Sequence, residues 1–255
     1  MKAQTPSLLS PVLIALVLAA GCGENSQADG PSAWAGHTYF TTPADPYTYL
    51  TQPAQSSVAQ QMAKFIPNFL LKVNSVSEDT VAITIAPAKK QTNPPEQDPC
   101  NATVEVSATV SSYPQIQIGP IDFPLFITNT PKDEPSVTAH ATVRRFSLAD
   151  VLPDGNTTSE KGRLSALVDA REVNSLVTVL QGESPEGVCA AMKETFDTEC
   201  VPCPDSQVLC LLLEAEGFGA EAAEINVRPM TESDVDPSCP KPSSNRSLSE
   251  QPRSD

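Results

Sequence analysis

Seven cysteines and two histidines carry most of the reactive side-chain chemistry in this 255-residue chain. Cys200-Val-Pro-Cys203 has the spacing of a thiol–disulfide exchange pair. Such a pair needs a first thiol of lowered pKa, which the thioredoxin arrangement supplies with a helix N-terminus after a strand. Here the pair follows a helix-like stretch and is flanked by Glu199 and Asp205, and carboxylates disfavour a thiolate. A structural disulfide region is the preferred reading. Cys189-x10-Cys200-x2-Cys203-x6-Cys210 also presents four thiols to a zinc ion. Tetrathiolate zinc is mostly an intracellular solution, whereas an exported chain oxidises its thiols, so no metal and no cofactor are expected.

Nucleophilic catalysis needs a base, most often histidine. His140 lies between Thr138 and Thr142 on the polar side of an alternating run, His37 lies in a Gly-flanked segment, and no Gly-x-Ser-x-Gly occurs. Asp169, Arg171 and Glu172 offer a carboxylate pair with an electrophilic arginine. Helix capping and a surface ion pair explain the same three residues and are preferred. Neither a Gly-rich phosphate loop nor an Asp-x-Asp-x-Asp-Gly calcium loop is present. No catalytic residue is therefore expected. The alternative is a carbohydrate-active or other hydrolase, recognisable by two buried carboxylates about 5–10 Å apart in a cleft. Trp34, Tyr39, Tyr47 and Tyr49 would line a saccharide or lipid mouth or, as preferred, cover one end of a sheet.

The elements that must position these groups change period midway. Phe69/Leu71/Val73, Val81/Ile83/Ile85, Val104/Val106/Ala108/Val110, Ile116/Ile118, Ile121/Phe123/Leu125/Ile127 and Val137/Ala139/Ala141/Val143 alternate as strands. Pro114, Pro120 and Pro124 then belong at strand ends or on an edge. Beyond Val168 the spacing turns helical, with Val173, Leu176, Val177 and Leu180 on one face after Asp169-x-x-Glu172. Ser184-Pro185-Glu186 opens a second helix, with Ser at the cap and Pro in the first turn. Val208–Ala215 is a continuous apolar run that reads as a buried strand. The expected fold is α+β, mainly β: an antiparallel sheet, sandwich or open barrel, with two helices near 170–180 and 185–197 in the C-terminal half.

The N-terminus carries an address. One cation, Lys2, precedes the uncharged stretch Leu8–Ala20, which is too short to span about 30 Å of hydrocarbon comfortably. It ends in Leu18-Ala19-Ala20-Gly21-Cys22, which resembles the lipobox of bacterial lipoproteins, with Ala19 where that family usually has Leu. The resemblance implies a diacylglyceryl group on Cys22, cleavage before it, and usually acylation of the new amine. The alternative is an ordinary secretory signal that leaves Cys22 a plain thiol. Two or three acyl chains hold a protein stably on a membrane. Gly23 stands where Asp often marks inner-membrane retention, which favours the outer membrane. Gly36-His-Thr-Tyr39, Ile66-Pro-Asn-Phe-Leu-Leu-Lys-Val73, Gly119-Pro-Ile-Asp-Phe-Pro124, Asp150-Val-Leu-Pro-Asp-Gly155 and Val188-Cys189…Cys200-x-x-Cys203…Cys210 resemble a pattern in uncharacterised bacterial envelope lipoproteins, over most of residues 34–215. That resemblance implies no activity.

Residues 22–145 hold 7 cations against 11 anions, and residues 146–255 hold 8 against 20. Such a surface repels nucleic acid and anionic lipid, so no nucleic-acid partner is expected. The expected layout is a signal peptide at 1–21, a tether at 22–33, one β-rich domain at 34–229 and a disordered tail at 230–255. The expected role is a membrane-anchored, non-catalytic binding or scaffolding module for an apolar or saccharide ligand, its protein partner unidentified. Six cysteines remain to pair as Cys189–Cys210, Cys200–Cys203 and Cys100–Cys239. If the second helix ends near Asp197 and a strand over 208–215 runs back along it, Cys210 lies about 10 Å up that strand. Cys189 lies about 12 Å back along the helix, at similar height. Cys200 and Cys203 would then close a tight loop shaped by Pro202 and Pro204, and Cys239 would pin the tail to Cys100.

Overall fold

Alternating apolar residues build strands because successive side chains point to opposite faces, so one face can be buried whole. In the computed structural model they form β1 (Thr38–Pro43), β2 (Leu50–Gln52), β3 (Phe69–Val76), β4 (Thr80–Pro87), β5 (Val104–Ser112), β6 (Gln115–Asn129), β7 (Val137–Val151), β8 (Gly162–Asp169) and β9 (Cys210–Ala223). Two helices, α1 (Ala170–Val173) and α2 (Pro185–Phe196), separate β8 from β9. The structure describes residues 31–43, 50–52, 67–89, 92, 94–112, 115–129, 137–151, 162–173 and 184–239. The signal-peptide segment, Cys22, Tyr47, Tyr49, Pro114, the helical positions 174–183 and the tail after Cys239 lie outside the described residues.

Neighbouring strands all pair antiparallel, in the order β1-β3-β4-β5-β6-β7-β8-β9-β2. β1 pairs in addition with β9, from Thr38↔Ala223 to Pro43↔Phe218. The sheet thus curls until its ends meet, an open barrel rather than a sandwich. Its split lies between β5 and β6. They pair only beside their hairpin, at Thr109↔Gln117, Val110↔Ile116 and Ser112↔Gln115, while β6 runs on along β7 to Asn129↔Val137. Pro120 and Pro124 fall in this overhang, where no strand from β5 calls for their missing N–H.

The inward positions are those of the alternation: Phe69, Leu71 and Val73, then Val81, Ile83 and Ile85, and so on around to Leu211, Leu213 and Ala215. Three phenyl rings meet on the axis. Phe146 lies 5.1 Å from both Phe69 and Phe123, centroid to centroid, and those two lie 6.0 Å apart. Strand direction alternates around the barrel, so the end of β3 and the end of β8 lie at opposite ends. Trp34 is buried at the first, beside β3, where the Gly36 N–H bonds the Val73 carbonyl. Val188 and Met192 of α2 join the core at the second. Side chains therefore fill the barrel and cover both its ends.

Gly119 occupies the irregular stretch of β6 with φ +84°, and a Cβ there would come 2.2 Å from the Phe146 carbonyl oxygen. Gly36 has the same φ but open space around it. Gly36→Ala should cost only the left-handed backbone penalty, about 1–2 kcal/mol. Gly119→Ala must also displace β7. Thermal unfolding is expected to rank wild type above Gly36→Ala, and Gly36→Ala above Gly119→Ala.

At the helices, Ser184 caps α2 by accepting the Gly187 N–H at 3.1 Å, with Pro185 in the first turn, and Asp197 ends it in the left-handed conformation. The apolar run beginning at Val208 is shifted: β9 starts at Cys210, and Val208 is 57 % exposed. A second correction concerns the tail. Residues 230–239, expected to be disordered, belong to a strap over 224–239 that lies on the outside of the barrel. Val227 is fully buried there with Leu70, Ala86 and Ala88 of β3, β4 and the residue after it. The Lys72 ammonium donates to the Asn226 side chain and the Val227 carbonyl. Gln97 pairs with the Arg228 backbone through both ends of its amide, and Thr103 pairs with Met230. Composition did not reveal this order because a few buried residues, backbone pairings and the Cys100–Cys239 bond hold the segment.

Candidate functional site

The split between β5 and β6 leaves backbone groups of β6 to be satisfied. Asn101 does part of this with its side chain, which is the same amide as a peptide unit. Its Oδ1 accepts the Phe126 N–H at 2.6 Å and its Nδ2 donates to the Phe126 carbonyl at 3.3 Å. Asp98 holds the Asn101 amide at 2.8 Å, and Asn101 is buried. Where the strap crosses this region a cleft of about 320 Å³ remains. β6 contributes Pro124 and Phe126, β7 contributes His140, and Cys100–Ala102 lead into β5. Glu232, Val235–Pro237 and Cys239 of the strap complete it. Phe126, the prolines and the disulfide offer apolar surface, while two carboxylates and an imidazole offer hydrogen bonds. Among the described residues, no lysine or arginine lines the cleft. Such a lining can hold a small apolar or sugar-like body.

The second polar cluster lies at the end of β8. The Asp169 side chain accepts the Arg171 N–H at 2.9 Å, capping α1, and also binds the Arg171 guanidinium. Arg171 reaches Asp205 at 2.8 Å as well. Glu172 does not close a capping box with Asp169. Its carboxylate accepts the Thr142 N–H of β7 and meets Arg144 at 3.2 Å. Asp169 and Glu172 thus fasten α1 to the barrel separately. Asp169, 1 % exposed, is the one buried carboxylate among the described residues, so no pair of buried carboxylates forms there. His37 and His140 are both exposed.

Burial alone pushes the Asp169 carboxyl up. The hydrogen bonds from the Arg171 side chain and backbone, with the charges of Arg171 and Arg144, outweigh it and hold the group below the ordinary aspartate range. A carboxyl depressed on folding stabilises fully above its unfolded value, about pH 4, and loses that contribution as pH falls through the folded value. Asp169→Asn is expected to be less stable near neutral pH and to show a shallower loss of stability below about pH 4. Urea unfolding across that range checks this; an unchanged acid slope would contradict it.

The cysteines correct two expected pairings. Cys189 bonds Cys200 and Cys203 bonds Cys210, in place of Cys189–Cys210 and Cys200–Cys203. The reason is a difference in pitch. From Cys189 to Phe196 the helix rises about 10 Å at 1.5 Å per residue. Three extended residues after Asp197, at about 3.3 Å each, return the same distance, so Cys200 stands beside Cys189 with Cα atoms 5.6 Å apart. Val201 then pairs with Cys210 as an isolated bridge, which leaves Cys203 next to Cys210. Cys100 and Cys239 are bonded across 139 residues. The four thiols that zinc would need are thus committed to disulfides, and the Asp169 carboxylate lies within 4.8 Å of the Cys203 and Cys210 sulfurs.

No protein-family model, curated protein or solved structure matches the chain. Of the aromatic group, Trp34 and Tyr39 are buried in the core, where Trp34 covers a barrel end rather than lining a mouth. The cleft escaped sequence reasoning because Pro124 and Phe126 read only as strand residues. The available signal was the Cys100–Cys239 pairing, which brings the loop before β5 and the strap onto one place.

Proposed function

We propose that the chain is a bacterial envelope lipoprotein, held on the outer membrane by acyl chains on Cys22, whose folded part is a non-catalytic binding or scaffolding module. The observation that carries this is the state of the cysteines. The chain has seven, six are joined in three disulfides, and the one left over is Cys22 of Leu18-Ala-Ala-Gly-Cys22. Three disulfides belong to an oxidising compartment. An unmodified odd thiol there would be free to cross-link, and thioether acylation removes it. Attachment at Cys22 leaves the barrel outside the bilayer at the end of a short polar tether.

The module reading draws support from the packing. A lipid carrier of this architecture would hold its cargo in the lumen, and here Phe69, Phe123 and Phe146 occupy that space. An apolar or saccharide ligand would instead meet the surface cleft beside Phe126 and His140. Labelling cells with an alkyne fatty acid tests the anchor. Wild-type protein is expected to take up label and sediment with membranes, and Cys22→Ser to take up none and to be either released or left uncleaved. Unlabelled wild-type protein would overturn the proposal.

A further inference from the structure

The three disulfides differ in what surrounds them. Cys203 and Cys210 are buried, at 5 % and 0 % exposure, in an apolar cluster with Leu167 on the outside of β8 and β9. Cys189 and Cys200 pack against the main core. Cys100 and Cys239 belong to neither cluster and line the open cleft at the β5–β6 split. The strap they fasten is also uneven. Up to Met230 it is held by the buried Val227 and by the partners of Asn226, Arg228 and Met230. From Thr231 to Cys239 every residue is exposed or half-buried. Among the described residues, this distal half is joined to the barrel by one hydrogen bond, from the Asp236 N–H to the Pro99 carbonyl at 3.0 Å, and by the disulfide. Its other hydrogen bonds, as from Thr231 to Asp234 and from Ser238 to Asp236, are internal to it.

We infer that Cys100–Cys239 is a thiol-releasable buckle, and that Thr231–Cys239 is a cover which its reduction lifts from Pro124, Phe126 and Asn101. The reductant is a dithiol. Its thiolate attacks one sulfur of the pair, forming a mixed disulfide and expelling the other sulfur as thiolate, and its second thiol then resolves the mixed disulfide. The protein gains two electrons and two protons as the Cys100 and Cys239 thiols, and the reductant departs as its own disulfide. Only the cover moves. Residues 224–230 stay seated because Val227 and Met230 are buried and the Gln97 and Thr103 pairings do not involve the bond.

The test is a titration of the purified protein with dithiothreitol, trapped by alkylation, with peptide mapping and hydrogen exchange at each step. Cys100–Cys239 is expected to open at about tenfold less reductant than the other two bonds. Protection should vanish over 231–239, the Asp236 amide included, while the Met230 amide and β3–β5 keep theirs. Cys100→Ser/Cys239→Ser should fold and show that exchange pattern without reductant. Opening of Cys189–Cys200 first or together with the buckle would overturn the inference. So would loss of protection throughout β3–β5 on opening, or a double variant that fails to fold or keeps residues 231–239 protected.

Discussion

Replacing Phe146 with alanine is expected to lower the unfolding free energy by about 3–5 kcal/mol. The ring is 1 % exposed and stands 5.1 Å from both other phenyl rings on the barrel axis. Its removal would leave a hole bounded by β3 on one side and β6 on the other. Neither strand can move in to fill it, because each is fixed by ladders to its own neighbours: β3 to β1 and β4, β6 to β7 along its length. A domain of this size is typically stable by about 5–15 kcal/mol, so the variant should sit near the edge of folding. Urea unfolding followed by tyrosine and tryptophan fluorescence measures the loss. Phe126→Ala, in the cleft and only half-buried, should cost markedly less. Equal losses would mean that the axis is not the centre of the core.

The second large effect is expected from Cys100→Ser/Cys239→Ser. Its crosslink joins positions 139 residues apart, so most of the domain lies inside the loop it closes. Chain entropy makes the stabilisation grow with loop length, up to about 5 kcal/mol at 25 °C for a loop of this size, less the freedom that residues 231–239 regain in the folded variant. The effect acts on the unfolded chain, which is why a large fall in Tm accompanies a native barrel that stays intact at room temperature. By the same relation Cys203→Ser/Cys210→Ser, with a separation of only 7, loses about 2–3 kcal/mol of loop entropy. It loses buried packing against Leu167 in addition. Scanning calorimetry of the two variants under identical conditions should show the larger fall for the long loop. The reverse order would assign the main constraint to the helical insertion.

The strands were legible because burial writes itself into period. Val81, Ile83 and Ile85 face the lumen, and Thr80 and Ala82 do not. The second helix was legible from Ser184 and Pro185, whose capping role is local and needs no tertiary knowledge. Elsewhere the deciding contacts join residues far apart in the chain. That β1 meets β9 follows from the accumulated curl of nine strands, and no local pattern announces it. The strap is held by Gln97 with Arg228, by Thr103 with Met230 and by a buried Val227, set in a stretch whose composition is that of a tail. The cleft exists because β5 and β6 part company after Gln117, and a single asparagine side chain, Asn101, takes the place of a strand at Phe126. Disulfide pairing was not legible for a narrower reason: two partners reach the height of Cys189, one on the strand and one in the three extended residues after Asp197, and only the fold shows that Cys200 is the neighbour. Asp169 caps α1 as its position suggests, but it is buried rather than part of a surface pair, and Glu172 accepts a β7 amide rather than one of its own helix.

The most direct measurement is the mass of the N-terminal peptide of protein purified from bacterial membranes. On the proposed lipoprotein reading the mature chain begins at Cys22 and this residue carries a diacylglyceryl thioether, with or without a further acyl group on its amine. An N-terminal peptide that retains residues before Cys22, or that begins elsewhere with an unmodified Cys22 thiol, would contradict it.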